Sequence, residues 1–279
     1  RDFAKEYKKY IGFPYFMCTN PCLLQDEDLV YQLKESGLTY VEIGVQAIDE
    51  AFRIEKVKRP DSDKHIFKTA KMLRKHEIYF QANHIFGLDL KDFHDEKFLK
   101  ETMNYYMKLD PNRTHCFELE FLPGCEETDR ALNDNRISQE QYDKIHQGDS
   151  SASYNFGGSL DEIEGMKNKN KVFTPYIVLL EMMPFLPYSL IQKALDNKLV
   201  FKLVRMIPHN YIILARLMNT LKDSRDIEGS PHYRKYWDGA LRVISIKKHL
   251  RLLRSGKSDS NNDHSGLPGS VLIESDSYS

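Results

Sequence analysis

The sequence predicts an α/β fold: a parallel sheet amounting to about half of a TIM-like barrel, then a mainly helical region, then a polar tail. Three observations carry this. Short β-branched and aromatic runs alternate with amphipathic helical stretches through the first 150 residues, which is the rhythm of βαβ units. Beyond that point the strand-like runs stop and apolar residues recur at helical spacing. From Ser255 onward Ser, Asn, Asp and Gly dominate, and such a stretch buries too little apolar surface to offset its ordering entropy. The expected organisation is therefore a partial barrel over 1–150, a helical C-terminal domain or cap over 151–254, and a disordered tail over 255–279.

In chain order, Pro14 to Cys18 is a compact apolar run closed by the turn signal Asn20-Pro21. Asp26 to Ser36 reads as a helix, with Leu29, Val30 and Leu33 on one side, and Gly37 ends it. Thr39 to Val45 is a strand. Asp63 to His76 is a helix burying Ile66, Phe67, Ala70 and Leu73, and Ile78 to Phe86 is the third strand. A helix over Asp95 to Leu109 and a strand over His115 to Leu122 complete the repeat. Four strands are half of an eight-stranded barrel and leave raw sheet edges, which natural proteins avoid. Together with an initial Arg in place of Met, this suggests that sequence is missing from the N-terminal side. Asn155 to Ser159 reads as a loop and Lys167 to Lys171 as a basic link.

Composition narrows the class. A net charge of −1 provides no basic field for nucleic acid. Four cysteines in 279 residues are too few for a disulfide scaffold and fit a reducing, cytoplasmic setting. The most apolar stretch, Val172 to Ile191, contains Glu181 and three prolines, so a buried, broken helical region is expected there and no membrane span.

In a parallel array, function collects where strands end. Those positions are Cys18-Thr19-Asn20-Pro21, Gly44-Val45-Gln46-Ala47, Asn83 to Asp89, and Phe121 to Cys125. Each joins Gly or Pro to a polar side chain, which suits a small polar ligand approaching the backbone. In this order the segments resemble the radical S-adenosylmethionine enzymes, in the branch with cobalamin-binding enzymes, methylthiotransferases and oxygen-independent coproporphyrinogen oxidase. The likeness covers roughly residues 10 to 140. It rests on Cys18 to Pro21, Ser36-Gly37, Gly44 to Ala47, Arg59, Ile85 to Leu88, and Pro123-Gly124-Cys125.

The resemblance implies that Gln46 and Arg59 bind the polar ends of S-adenosylmethionine, with Arg59 on its carboxylate. It further implies a contact from Asn20, a ribose contact from Asn83, adenine packing from Ile85, and close backbone approach at Gly87. A 4Fe–4S cluster is implied too, but its Cys-x3-Cys-x2-Cys ligands are absent. Cys18 and Cys22 keep the first interval, Gln25 occupies the third position, and the ligands are expected upstream of this chain. The loop after the third strand departs from the family pattern at Asp89, Leu90 and Lys91, and Cys125 replaces a Thr. Cobalamin is a candidate cofactor of the full-length parent. The implied partners are a small-molecule substrate, the missing N-terminal part of the chain, and an electron donor such as flavodoxin or ferredoxin; neither a membrane nor nucleic acid is expected.

Taken on their own, several residues have plainer readings. Gln46 could cap the next segment, Arg59 could be a surface charge, and His84 and Cys116 read as core residues. The basic stretch Lys247 to Arg254 reads as a solvated helix end, and Tyr233 to Trp237 as packing. The rival to an enzyme is a degenerate barrel that serves as a binding or scaffold protein. The chain alone is expected to be inactive.

Overall fold

Four parallel strands lie side by side in chain order: β1 (Tyr15–Thr19), β2 (Leu38–Gln46), β3 (Tyr79–Phe86) and β4 (Arg113–Glu118). This is a computed structural model that describes residues 1–89, 91–149, 170–206 and 211–227. All of them fall within the compact unit Arg1–Tyr233, whereas the second unit, Arg234–Ser279, lies outside the described residues. The expectations for the tail, for Lys247 to Arg254, for Tyr233 to Trp237 and for the loop Asn155 to Ser159 therefore also lie outside them.

Helices α1 (Asp2–Tyr10), α2 (Glu27–Glu35), α3 (Glu50–Glu55), α4 (Asp63–Lys75), α5 (Lys91–His94) and α6 (Glu96–Leu109) precede or separate the strands. Their starts follow from short polar caps. Asp26 accepts from Asp28 N, Asp49 from Phe52 N, and Asp95 from Lys97 N and Phe98 N. At the start of α4, Ser62 and His65 satisfy each other's backbone as a capping box. The stop after α2 needs Gly37, whose φ is +110° and where a Cβ would lie 2.7 Å from Phe13 O.

Strand register decides which side chains share a face, because side chains alternate along each strand. Cys18 pairs with Glu42, Glu42 with Gln81, and Gly44 with Asn83; Gln81 pairs with Arg113 and Asn83 with His115. One face is therefore polar. The other carries Val41, Ile43, Val45, Phe80, Ala82, Phe86 and Cys116, all buried. It packs on Val30 and Leu33 of α2, Ile66, Ala70 and Leu73 of α4, and Leu99, Met103 and Tyr106 of α6.

Downstream come α7 (Glu126–Asn133), α8 (Gln139–Lys144), α9 (Asn170–Met182), α10 (Tyr188–Asp196), α11 (Lys198–Arg205) and α12 (Tyr211–Asp226). Phe173, Tyr176, Ile177 and Leu180 of α9 join the core of the sheet, and the Phe173 ring stacks on Phe86 at 5.4 Å. The apolar stretch around Val172 to Ile191 is broken as expected: α9 ends at Met182, a short 3-10 turn covers Met183–Phe185, and α10 begins after Pro187. Among the described residues no helix is long and apolar enough to cross a membrane.

One local reading changes, and one helix was not anticipated. The fourth strand ends at Glu118, not Leu122. Leu119 N still donates to Phe86 O at 2.8 Å, but Leu119 and Phe121 then turn into a small separate core with Leu88, Ala131, Ile137 and Ile145. Helix α1, with only Ala4 buried, had no strong apolar signal; its Phe3 and Tyr7 rings pack on Tyr15.

Candidate functional site

The C-terminal ends of β1 and β2 meet around Arg59. Its Nη2 donates to Asn20 Oδ1 at 2.5 Å and to Gly44 O at 3.1 Å, while Nε donates to Asp61 at 3.2 Å. Asp61 is fully buried, and its other oxygen accepts from Cys22 N at 2.8 Å. Arg59 is thus pinned between two strand ends. Its Nη1 makes no hydrogen bond among the described residues, and 19% of the side chain is exposed. The neighbouring loop is held by Arg53, fully buried, which donates to Ala47 O, Asp61 O and the Asp63 carboxylate.

Gln46 stands in the left-handed region with φ +67°, at a bulge where the β2–β3 register slips between Gly44 and Gln46. The bulge turns its amide back over Gly44. A Cβ at Gly44 would collide with Gln46 Nε2 and lie 3.2 Å from Arg59 Nη2, so the absence of a side chain there is what lets these two groups converge. Asn20, Gln46 and Arg59 accordingly form one half-buried cluster.

Asn83 and Ile85 lie on the same polar face of the sheet, while Gly87 is placed differently. Gly87 is buried, its φ is +81°, and its N–H is taken by Asp92 Oδ2 at 2.8 Å. Ile85 packs with the small core formed by Leu88, Leu119 and Phe121. Asn83 belongs to a network that the sequence reading missed. Tyr40 Oη lies 3.0 Å from Glu42 Oε1 and 2.9 Å from Gln81 Oε1. Gln81 Nε2 donates to Asn83 Oδ1 at 2.7 Å, and Asn83 Nδ2 to Glu42 Oε2 at 3.4 Å. The signal was in the sequence: Tyr40, Glu42, Gly44 and Gln46 alternate with Val41, Ile43 and Val45. In a parallel strand such alternation marks a face that helices do not bury.

The floor of this face, at the N-terminal ends of the strands, is closed by α12. Asp223 is fully buried, accepts from Arg113 at 2.7 Å and binds the Tyr79 hydroxyl. Lys222 Nζ donates to the same hydroxyl at 3.2 Å, and Ile227 packs with Tyr40 and Tyr79. Higher up, Phe16, Cys18 and Phe117 remain exposed.

The outer edge of β4 is also occupied. Glu181 of α9, fully buried, accepts from Cys116 N at 3.2 Å, and Arg216 of α12 donates to Cys116 O at 2.5 Å. Arg216 Nε and His115 Nδ1 each lie 3.2 Å from the same Glu181 oxygen. Burial opposes ionisation of Glu181, yet His115, Arg216 and Arg113 bring its pKa below the ordinary carboxylate value.

The thiols do not suit an iron–sulfur cluster, which takes thiolate ligands. Burial and the Glu42 carboxylate push the Cys18 thiol up, and burial and Asp61 do the same to Cys22. Gln25 is spent on structure, donating to Pro21 O at 2.7 Å and Thr69 at 2.9 Å. Cys116 is buried in the core and Cys125 is exposed at the start of α7. Among the described residues no three His, Cys, Asp or Glu side chains converge to hold a metal ion. The residues present do not fit the cluster. Two amides and a guanidinium, from Asn20, Gln46 and Arg59, stand together over the backbone of Gly44 and could serve the charged end of a polar ligand.

No family model and no curated protein matches the chain. Among solved structures it is similar to coproporphyrinogen III oxidase (HemN) from Escherichia coli, described as a radical SAM enzyme. The identity is 18% and the TM-score 0.38, over 50% of this chain and 31% of that one. It is also similar to the radical S-adenosylmethionine methyltransferase TsrM from Kitasatospora setae, described with cobalamin and a 4Fe–4S cluster bound. Here the identity is 17% and the TM-score 0.34, over 38% and 20% of the two chains. The chain thus spans less than a third of the length of either structure.

Proposed function

We propose that this chain forms the S-adenosylmethionine-binding part of a radical S-adenosylmethionine enzyme that acts on a small molecule. The observation that carries the reading is the convergence of Asn20, Gln46 and Arg59 around Gly44 at the ends of adjacent parallel strands. Arg59 and Gln46 would hold the amino-acid end of the ligand, and the apolar Ile85 on the same face would flank its adenine. When bound, S-adenosylmethionine would supply the radical precursor, at a cluster held by polypeptide outside this chain.

The two edges of the sheet support a direction from which such polypeptide would join. Side chains of α9 and α12 already occupy the outer backbone groups of Cys116 on β4. Further strands would then join at β1, the opposite edge. The polar face, beyond the ligand and toward the α12 floor, would receive the substrate.

Calorimetric titration of the chain with S-adenosylmethionine, and with S-adenosylhomocysteine as the unreactive probe, tests the reading. Saturable binding that weakens at least about tenfold in Arg59→Ala is expected, because a charge-assisted contact is lost. Absence of binding to the wild-type chain would leave a scaffold protein as the better account.

A further inference from the structure

We propose that Glu42 is the carboxylate that recognises a protonated amine of the substrate, so that the polar face of the sheet receives an organic cation. This deepens the reading above and rests on it, since it names the substrate class of the same site. Glu42 lies in the middle of β2, a strand paired on both sides, with Cys18 and Gln81 as its register partners. Alternation along the strand puts it on the polar face, two residues before Gly44. It thus stands between the cluster of Asn20, Gln46 and Arg59 and the α12 floor, where Tyr40 packs with Ile227.

The partners of Glu42 leave its charge unmatched. Tyr40 Oη lies 3.0 Å from Oε1, Asn83 Nδ2 donates to Oε2 at 3.4 Å, and the Cys18 thiol donates to the same carboxylate. A phenol, an amide and a thiol are all neutral donors, and the phenol also faces Gln81. By contrast, Asp61, Asp223 and Glu181 are matched by the guanidinium groups of Arg59, Arg113 and Arg216. The unmatched charge is felt next door: after burial, Glu42 is the main cause that pushes the Cys18 thiol up.

The surroundings favour one kind of guest. Glu42 is half-exposed, and the Cys18 side chain that touches it is exposed. Two residues before Cys18, on the same face, Phe16 keeps 43% exposure, with its ring 6.2 Å from that of Tyr40. An ammonium group here gains a charge-assisted hydrogen bond from the carboxylate and a cation–π contact from the rings. A metal ion needs several further hard ligands, and among the described residues no three His, Cys, Asp or Glu side chains converge. An anion would meet like charge, and a neutral hydroxyl would leave the carboxylate unmatched.

Two measurements on the whole chain test this. In the first, Cys18 is labelled with methanethiosulfonate reagents that carry either a trimethylammonium or a sulfonate group, and is located by tandem mass spectrometry. Both reagents need the same thiolate, so their rate ratio, normalised to free cysteine, reports local charge and not thiol ionisation. A cation preference of about fivefold or more is expected at low salt, falling toward unity in Glu42→Gln; no preference in the wild type would overturn the proposal. In the second, saturation-transfer NMR titrations compare phenethylammonium with phenethyl alcohol, which has the same ring. The amine should bind at least about tenfold more tightly, and Glu42→Gln should abolish the difference. Failure of the amine to bind, equal affinities, or a preference that survives the substitution would each overturn it. If Glu42→Gln does not fold, both wild-type comparisons still decide. Displacement of the amine by S-adenosylhomocysteine would put it in the cofactor's place and also count against a substrate role. Amine recognition without a calorimetric signal loses the cofactor reading alone, and the reverse outcome loses only the substrate class.

Discussion

The carboxylate of Glu181 stands 3.2 Å from Cys116 N, in the place where the carbonyl of a fifth strand would otherwise be. Arg216 supplies the complementary donor to the carbonyl of the same residue. Two helices thereby imitate the edge of a neighbouring strand with an ion pair, and β4 is closed to further pairing.

Removing half of that pair should be costly. Arg216→Ala leaves Glu181 buried without its guanidinium, and such losses run to about 3–5 kcal/mol. Urea denaturation should register the destabilisation. Size-exclusion chromatography of the folded fraction should show concentration-dependent association through the uncapped edge. A variant as stable as the wild type, with the same elution volume at every concentration, would refute the capping role.

Gly44→Ala should separate binding from stability. The new methyl group meets the far end of Gln46 and the Arg59 guanidinium, not backbone. Both can shift, so the stability change should stay within about 1 kcal/mol. The displaced amide and guanidinium should nevertheless weaken S-adenosylmethionine binding about tenfold or more by calorimetry. Gly37→Ala should behave in the opposite way. Its Cβ would strike Phe13 O at a φ of +110°, so stability should fall by roughly 1–3 kcal/mol with no effect specific to the ligand.

Two buried groups should tilt the pH dependence of stability in opposite directions. Burial raises Asp92 from 3.8 to about 7, and burial lowers His84 from 6.5 to about 3. The folded state holds the Asp92 proton that the unfolded state releases, so this contribution is complete below pH 3.8 and lost as pH rises toward 7. For His84 the contribution is complete above pH 6.5 and lost as pH falls toward 3. Between about pH 4 and 6.5 the two slopes oppose, each approaching about 1.4 kcal/mol per pH unit. Relative to wild type, Asp92→Asn should therefore gain stability as pH rises through this window, and His84→Gln should gain as pH falls. Urea midpoints at pH 4.5, 5.5 and 6.5 would show this; parallel curves for all three proteins would refute it.

The α9–sheet contact should depend on one ring pair. Phe173 is fully buried and stacks on Phe86 at 5.4 Å. Phe173→Ala should cost about 3–5 kcal/mol and sharply raise hydrogen exchange in α9 and along β4. Exchange confined to the mutated turn would show that α9 is held by its polar contacts alone.

Much of the sheet was legible because its signals are local. Runs such as Thr39 to Val45 and Ile78 to Phe86 declare strands, and Gly37 marks a helix end where a positive φ is required. The cluster of Asn20, Gln46 and Arg59 was legible as spaced motifs, although its bulge and its anchoring by Asp61 were not. The partners of β4 were hidden for a physical reason. Glu181 and Arg216 lie 65 and 100 residues from Cys116, and a single long-range polar contact leaves no periodicity behind. His115 was read only as the start of a strand, because nothing nearby in sequence reveals the carboxylate it meets.

The Tyr40 hydroxyl has one hydrogen and two acceptors, Glu42 at 3.0 Å and Gln81 at 2.9 Å. It can satisfy only one of them at a time. Gln81 is buried, whereas Glu42 is half-exposed, so the shortage is transferable to the surface: a guest bringing its own hydrogen to Glu42 frees the phenol to settle on Gln81. The phenol is thus shared between a buried amide and a half-exposed carboxylate, so the polar face holds two hydrogen-bond arrangements within a single geometry.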